Sequence, residues 1–532
     1  MIALSNDRKA WWILGANTFA FTVCFAAWMM NGVLVTWLVD NGLYRWGPEE
    51  MGWLIGIPVL TGAIFRLPLG LATDKWGGRH VFSALLVSAA VPMYLVGACD
   101  SYWTFFLAGL GFGFCGTSFA IGIAFTSVWF GRERQGLSLG IFGAGNAGAA
   151  LTTLGAPAVL DWLTDHGHEL EGWRHLPKLY AALLLITGVV FFLVTKNRIP
   201  PGSAHKTLRQ RLEPLGTVRV WRFGLYYFFV FGGFVALAQW LVPYYVNAYG
   251  TTVALAGALT AANSLPSGVI RTVGGWMSDR WGARPVMYWV FGLSLLCCVF
   301  LIVPQMEIHS PGSGIMARSG GTVTEVSDDR VVVRSQKLGT DHVYRLRARR
   351  GKLVTDEERH DGLLVWPRSA SWQEPAVVVG QQVDKRELVA RGETLIFFQA
   401  NIWIFTILSL ILGAVMGIGK AAVYKHIPEY FPRDVGAGGG IVGVLGGLGG
   451  FVCPVVFGYL LAETGLWTTC WMFFFVLVAI CLVWMHRVVR RIIEDQAPHM
   501  ASRIEADQRV NRDDEQLAAR DDERGPRGRA YC

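Results

Sequence analysis

Residues 66–79, RLPLGLATDKWGGR, return as RTVGGWMSDRWGAR at residues 271–284, 205 positions further on. Each phrase opens with an arginine set in an otherwise apolar run, so the chain carries the same costly device twice at matched places. A parallel repeat of this kind predicts two related halves. An arginine at the middle of a bilayer helix costs roughly 2.5–3.5 kcal/mol on insertion scales, and such a residue needs a partner that offsets the cost. No apolar run of the chain holds an Asp or Glu in its interior; Asp40, Asp161 and Glu463 lie at run ends. The compensating negative charge is therefore expected from outside the protein, which makes an anion the expected cargo.

The composition is too apolar for a soluble chain of this length: 532 residues, 53% hydrophobic, 16% charged, with a mean hydropathy of +0.39. About 20 apolar residues cross a bilayer as a helix. Runs of that size predict spans at 11–39, 51–72, 81–99, 103–130, 137–160 and 177–195, then at 222–248, 254–277, 286–304, 398–424, 437–462 and 467–486. The first is too long for a signal-peptide core and lacks a small-residue cleavage site, so it is expected to remain as an uncleaved span. The expected fold class is an all-α membrane protein of twelve transmembrane helices in two pseudo-symmetric six-helix halves.

Twelve helices leave both termini on one side. Short loops on that side carry Lys75, Arg79, Arg132, Arg134, the basic stretch 196–222, Arg280, Arg284, Lys425 and Arg433, whereas the opposite short loops hold little beyond Arg45, Arg174 and Lys178. The positive-inside bias places both termini in the cytoplasm. A net charge of +8 and a pI near 9.0 do not imply nucleic acid, because the basic residues are spread over these loops, where they orient helices and face anionic lipid. Eight of the nine cysteines fall within or at the ends of spans and Cys532 ends the chain, so no disulfide framework or metal spacing follows.

A second pair of landmarks tests the duplication. Phe130-Gly-Arg132-Glu133 leads into a Gly-rich helix reaching Pro157, and Phe431-Pro-Arg433-Asp434 leads into another reaching Pro454. The second half is longer between its landmarks by about the length of one polar stretch, residues 305–397. Runs at 322–326, 330–334 and 376–379 read as alternating and β-branched and are bounded by Gly and Asp, which predicts short strands and a small β-rich insertion between helices 9 and 10 on the non-cytoplasmic face. Its end, residues 378–392, weakly resembles the closing segment of barrel-sandwich hybrid modules but has no lipoyl-type Met-Lys-Met tip, so no cofactor is expected. The insertion is read either as a tolerated periplasmic ornament or as a surface that docks an unidentified partner or shields the mouth. The expected organisation is a first half at 1–200, a cytoplasmic linker at 201–221, a second half at 222–304 and 398–486, the insertion at 305–397 and a charged cytoplasmic tail at 487–532.

Gly143, Gly145 and Gly148 spell G-x-G-x-x-G in mid-helix rather than at a strand-to-helix turn, so nucleotide binding is rejected. With Gly140 they instead form small-residue ladders, and Gly440, Gly443, Gly446 and Gly447 repeat the device in the eleventh span. They are either packing glycines or smooth contacts between halves that rock. Asn146 is a polar group at lipid depth, for substrate contact or an interhelical hydrogen bond, and Lys420 either snorkels to the edge or serves the pathway. For Arg66 and Arg271 the plain reading is a structural charge paired with backbone carbonyls or a helix end. Two planar forks at matched depth, however, suit a planar oxyanion, and lysine would not replace them. His166 and His168 are read as solvated loop residues rather than metal ligands. No nucleophile and base stand together in the spans, so no enzyme is expected.

These residues together resemble the nitrate/nitrite porter family of the major facilitator superfamily, over essentially the whole chain except 305–397 and the tail. The phrases at 74–79 and 279–284 are similar to the superfamily's loop motif. More specific are the intramembrane Arg66 and Arg271, the Gly-rich stretches 136–157 and 436–454, and GKAAVYKHIP from Gly419. The resemblance implies the major facilitator fold and a monomeric inner-membrane carrier of nitrate, nitrite or both. It also implies an anion clamp of Arg66 and Arg271 assisted by Asn146 and Tyr227, with Phe119 and Phe231 as aromatic walls. Exchange and proton-coupled import both remain open, and an organic-phosphate exchanger and an anion sensor stand as alternatives.

Overall fold

The computed structural model describes residues 2–130, 132–199, 213–355, 358, 362–430 and 435–496. Residues 201–212 of the expected linker, the landmark at 431–434 and the tail beyond residue 496 lie outside the described residues. Among the described residues eleven helices are long and apolar enough to cross a membrane, and twelve when one bent pair counts as a single span. They are span 1 (Arg8–Asp40), span 2 (Pro48–Trp76), span 3 (Gly78–Val96), span 4 (Tyr102–Trp129), span 5 (Leu137–Leu163) and span 6 (Leu170–Val194). After the linker come span 7 (Val218–Tyr249), span 8 (Val253–Val269 with Arg271–Trp281), span 9 (Ala283–Leu301), span 10 (Ile402–Ile427), span 11 (Gly438–Thr464) and span 12 (Thr469–Arg491). The chain divides into two units, Met1–Phe475 and Val476–Cys532. The second holds the later turns of span 12, helical to Gln496.

The run expected as a span at 254–277 forms span 8, which bends by 42° between Val269 and Arg271. Pro266 just before the bend has no N–H to give and its ring crowds the preceding turn. Span 2 has a matching break, Pro48–Ile64 ending at Phe65 before Arg66–Trp76 begins, and there Pro68 removes the donor that would bond Ile64. Each arginine is therefore the first residue of a short half-helix. Both half-helices stop at a glycine in the left-handed region, Gly77 at φ 82° and Gly282 at φ 87°, a backbone state that costs a side-chain-bearing residue. The 205-residue repeat thus extends to backbone geometry.

Three further irregularities lie deep in the spans. Span 4 tightens to a 3-10 turn at Gly113–Thr117, span 5 does so at Ala144–Ala147, and span 7 widens to a π turn at Phe228–Gly233. Such turns leave carbonyls and side chains aimed off the regular helical pattern. The halves meet where span 2 packs on span 11 and span 5 on span 8. Glycines make those approaches: a side chain at Gly52 would strike the Pro454 carbonyl, one at Gly458 the Pro48 carbonyl, and one at Gly257 the Thr153 carbonyl.

Between Leu301 and Ile402 the chain forms β1 (Met306–Met316), β2 (Gly321–Val326), β3 (Arg330–Ser335), β4 (Asp341–Arg345), β5 (Arg350–Gly351), β6 (Arg368–Pro375), β7 (Gln382–Val383) and β8 (Leu388–Phe398). They build two four-stranded antiparallel sheets, ordered β1-β8-β6-β5 and β4-β3-β2-β7. Val323, Val331, Val333, Tyr344 and Val389 fill the core between them. The strand expected at 376–379 is not one. β6 ends at Pro375, Val378 and Val379 are exposed, and Gly380 turns the chain at φ 86°; of this apolar run only Val377 reaches the core.

Candidate functional site

Arg66 is the most buried charge of span 2, 3% exposed. Its Nη1 donates to the Gly443 carbonyl at 2.7 Å and its Nε to the Gly116 carbonyl, in the 3-10 turn of span 4, at 3.3 Å. Its Nη2 is buried without a hydrogen-bond partner. Arg271, half-buried, likewise holds a buried Nη1 with none. Each guanidinium lies against a glycine of the opposite half: a Cβ at Gly447 would sit 3.1 Å from Arg66 Nη1, and one at Gly143 would sit 3.4 Å from Arg271 Nη1. Absent side chains on spans 11 and 5 are thus what admit the two arginines to the boundary between halves.

Aromatic rings complete the enclosure. The Phe119 ring centre is 5.7 Å from the Arg66 guanidinium carbon and 5.3 Å from that of Arg271, so one ring is shared between the two cations. Phe231, in the π turn of span 7, is 4.9 Å from Arg66 and 6.0 Å from Phe119. Tyr227 stacks on Phe231 at 5.0 Å with planes 2° apart. Ring faces attract cations at these distances, which eases their burial while leaving the N–H edges free. The Tyr227 hydroxyl, close to Arg271 and Tyr424, meets hydrogen-bond geometry with neither. Asn146 is fully buried in the 3-10 turn one turn beyond Gly143, and both its amide nitrogen and its amide oxygen are unbonded. The interhelical hydrogen bond left open for it does not form.

Buried polar atoms without partners each cost on the order of 1–3 kcal/mol, and the two arginines, Asn146 and Tyr227 supply five such atoms. Among the described residues no Asp or Glu ion-pairs with either arginine. The arrangement can therefore accept a small anion that takes several N–H bonds at once.

Lys420 is brought elsewhere. Its ammonium donates to Ser267 Oγ at 2.9 Å and lies 3.1 Å from the Phe234 ring centre, fully buried between spans 7, 8 and 10. It therefore does not snorkel to the edge. The remaining glycines are contacts of several kinds: Gly140 faces Thr272 of span 8, Gly145 the Phe21 ring, Gly148 the Thr22 carbonyl of span 1, Gly440 Leu67, and Gly446 the Tyr227 ring. Sequence reasoning missed Tyr424, whose ring crosses Tyr227 at 4.9 Å and stands 5.7 Å from Arg271. It also missed Trp28, 6.0 Å from Arg66. Tyr424 follows Lys420 by one helical turn, and that spacing was the available signal. The loop histidines bond locally, His166 to Asp161 and His168 to the Asp165 carbonyl.

The Major Facilitator Superfamily model matches residues 18–317 and 388–511. The probable nitrate/nitrite antiporter NarK1 of Thermus thermophilus is 36% identical over 498 residues, 93% of this chain and 95% of that protein. The nitrite extrusion protein of Bacillus subtilis strain 168 is 23% identical across 85% of this chain and 88% of that protein. Among solved structures, a bacterial homologue of the human lysosomal transporter Spinster, inward-facing and occupied, overlays with a TM-score of 0.59 at 13% identity, covering 92% of this chain and 98% of that one. The fucose:proton symporter FucP of E. coli gives 0.53 at 12% identity over 90% and 98%. Those likenesses support the fold alone. The chain belongs to the nitrate/nitrite porter family of the major facilitator superfamily.

Proposed function

We propose that this protein carries nitrate and nitrite across the cytoplasmic membrane of a bacterium by alternating access, as an exchanger working around Arg66 and Arg271. The observation that supports this most is the pair of guanidiniums, one from each half, each with a buried N–H lacking a partner, beside the unbonded Asn146 amide. A planar oxyanion fits between the forks, with Tyr227 as a further donor and Phe119 and Phe231 as walls. Two fixed positive charges at the boundary of the halves repel each other when the site is empty, and a bound anion offsets that repulsion. Reorientation then favours the loaded carrier, which is the behaviour of an obligatory exchanger. The glycines from Gly140 to Gly148 and from Gly440 to Gly447 supply the smooth faces along which the halves move.

The functional unit is a monomer with both termini cytoplasmic and the strands of 305–397 periplasmic, where an unidentified partner has access to them. The halves divide at the linker 201–221, with the charged tail beginning at 487. One observation favours a proton-coupled variant: Lys420 is buried, bonded to Ser267 and within electrostatic reach of Arg271. Proteoliposomes separate the two readings. Uptake of labelled nitrate is expected only into vesicles preloaded with nitrite; uptake into empty vesicles on an inward proton gradient alone would replace exchange by symport.

A further inference from the structure

The stretch Gly362 through Pro367, GLLVWP, leads into β6 and exposes large apolar side chains: Leu363 is 53% exposed, Val365 61% and Trp366 81%. A cluster of this kind on a polar module marks a contact with something apolar. Its position is fixed. The Ile402 N–H donates to the Gly362 carbonyl at 2.8 Å, and Asn401 Nδ2 donates to the Leu363 carbonyl at 2.9 Å. Asn401 Oδ1 meanwhile accepts from the N–H groups of Trp403 and Ile404 and so caps span 10. Gly362, at φ 65°, lies so close to the Tyr249 ring at the end of span 7 that a Cβ there would come within 2.8 Å of it. The loop is therefore bonded to the point where two spans leave the membrane.

What it adjoins there is lipid-facing. The first turns of span 10 expose Trp403, Ile404 and Ile407, and the loop that carries the open side chains is bonded at the residues just before them, Asn401 and Ile402. Polarity returns at the next residue, where Arg368 pairs with Glu358 at 3.3 Å. We infer that Gly362–Pro367 is a membrane anchor that seats the strand module on the adjacent bilayer leaflet. Trp366 lies at headgroup depth, where its amphipathic ring is favoured, with Leu363 and Val365 reaching toward the acyl chains. The occupant of the patch is lipid, and the inference holds whichever anion the spans carry.

The test places a nitroxide on the full chain in phospholipid vesicles. Cys532→Ser removes the terminal thiol, the other eight cysteines being buried. One cysteine is then introduced by Trp366→Cys, by Val365→Cys or, on the turn after β3, by Leu338→Cys, where the native side chain is 71% exposed. Nitrate counterflow confirms that each labelled protein is folded. Collisions with oxygen, which partitions into lipid, are expected to exceed those with a water-soluble nickel chelate several-fold at 366 and 365, with the order reversed at 338. Chelate-dominated collisions at 366 and 365 would overturn the anchor. So would exclusion of both reagents, which would mean that protein covers the patch, with spin–spin broadening identifying a second copy.

Discussion

Arg66 does three things with one side chain: Nη1 holds the Gly443 carbonyl, Nε holds the Gly116 carbonyl, and Nη2 is left over. A lysine ammonium gathers its three donors on a single nitrogen and has no planar fork to span these positions. Arg66→Lys and Arg271→Lys are each expected to weaken nitrate binding roughly 10- to 100-fold, the loss of one or two hydrogen bonds to a charged group, and to abolish uptake at normal expression. Nitrate titration of the purified variants checks it, and full uptake in both would remove the clamp. Lys420→Gln keeps a donor for Ser267 while deleting the charge. It is expected to retain nitrate–nitrite counterflow, and loss of counterflow would bring the ammonium into the transport step. The arginines were legible because a charge inside an apolar run has no cheap explanation. Asn146 was legible for the same reason. Tyr424 was not, since an aromatic in a lipid-length run looks the same whether it lines a site or fills a core.

At the level of helices, the place of each span was readable from hydropathy, with ends that differ by up to seven residues, because the bilayer sets the run an apolar helix needs. The breaks before Arg66 and Arg271 were not, since hydropathy carries no information on backbone direction and a proline in a span does not say how far the helix turns. The same blindness put a strand at 376–379, because a β-branched run bounded by turn residues reads alike whether it pairs or turns. The Gly-rich spans show how contact, not glycine count, decides function. At Gly447 a Cβ would stand 2.9 Å from the Ala63 Cβ and 3.1 Å from Arg66 Nη1, while at Gly155 it would meet nothing within 4 Å. Overpacking typically costs about 1–3 kcal/mol. Gly447→Ala is therefore expected to cut the exchange rate about tenfold or more, and Gly155→Ala to leave it unchanged, both measured by counterflow at equal reconstitution. Equal rates in the two variants would mean that the span 2 and span 11 contact is not part of the moving boundary.

For the whole chain, the strand module raises the question of whether transport needs it. Its two connections are themselves paired: β1 and β8 run antiparallel from Met306 opposite Phe398, then Glu307 opposite Phe397 and Ile308 opposite Ile396. Directly opposed residues in such a ladder lie about 4.5–5.5 Å apart at Cα, so the chain leaves span 9 and enters span 10 at almost the same point. Removing everything between needs only a short turn, and loop closure changes stability by only about 0.6 kcal/mol per doubling of length. The guanidiniums, Asn146 and the rings around them all lie on spans 1, 2, 4, 5, 7, 8 and 10, and none of their contacts described above involves a strand residue. Excision of 309–395 with a two-glycine turn joining the trimmed strands is therefore expected to preserve nitrate–nitrite exchange within about twofold, by the same counterflow assay. A collapse of exchange in a variant that still binds nitrate would instead make the module part of the moving machinery. Because β1 and β8 tie the ends of spans 9 and 10 together, the defect would then be expected in turnover rather than in affinity.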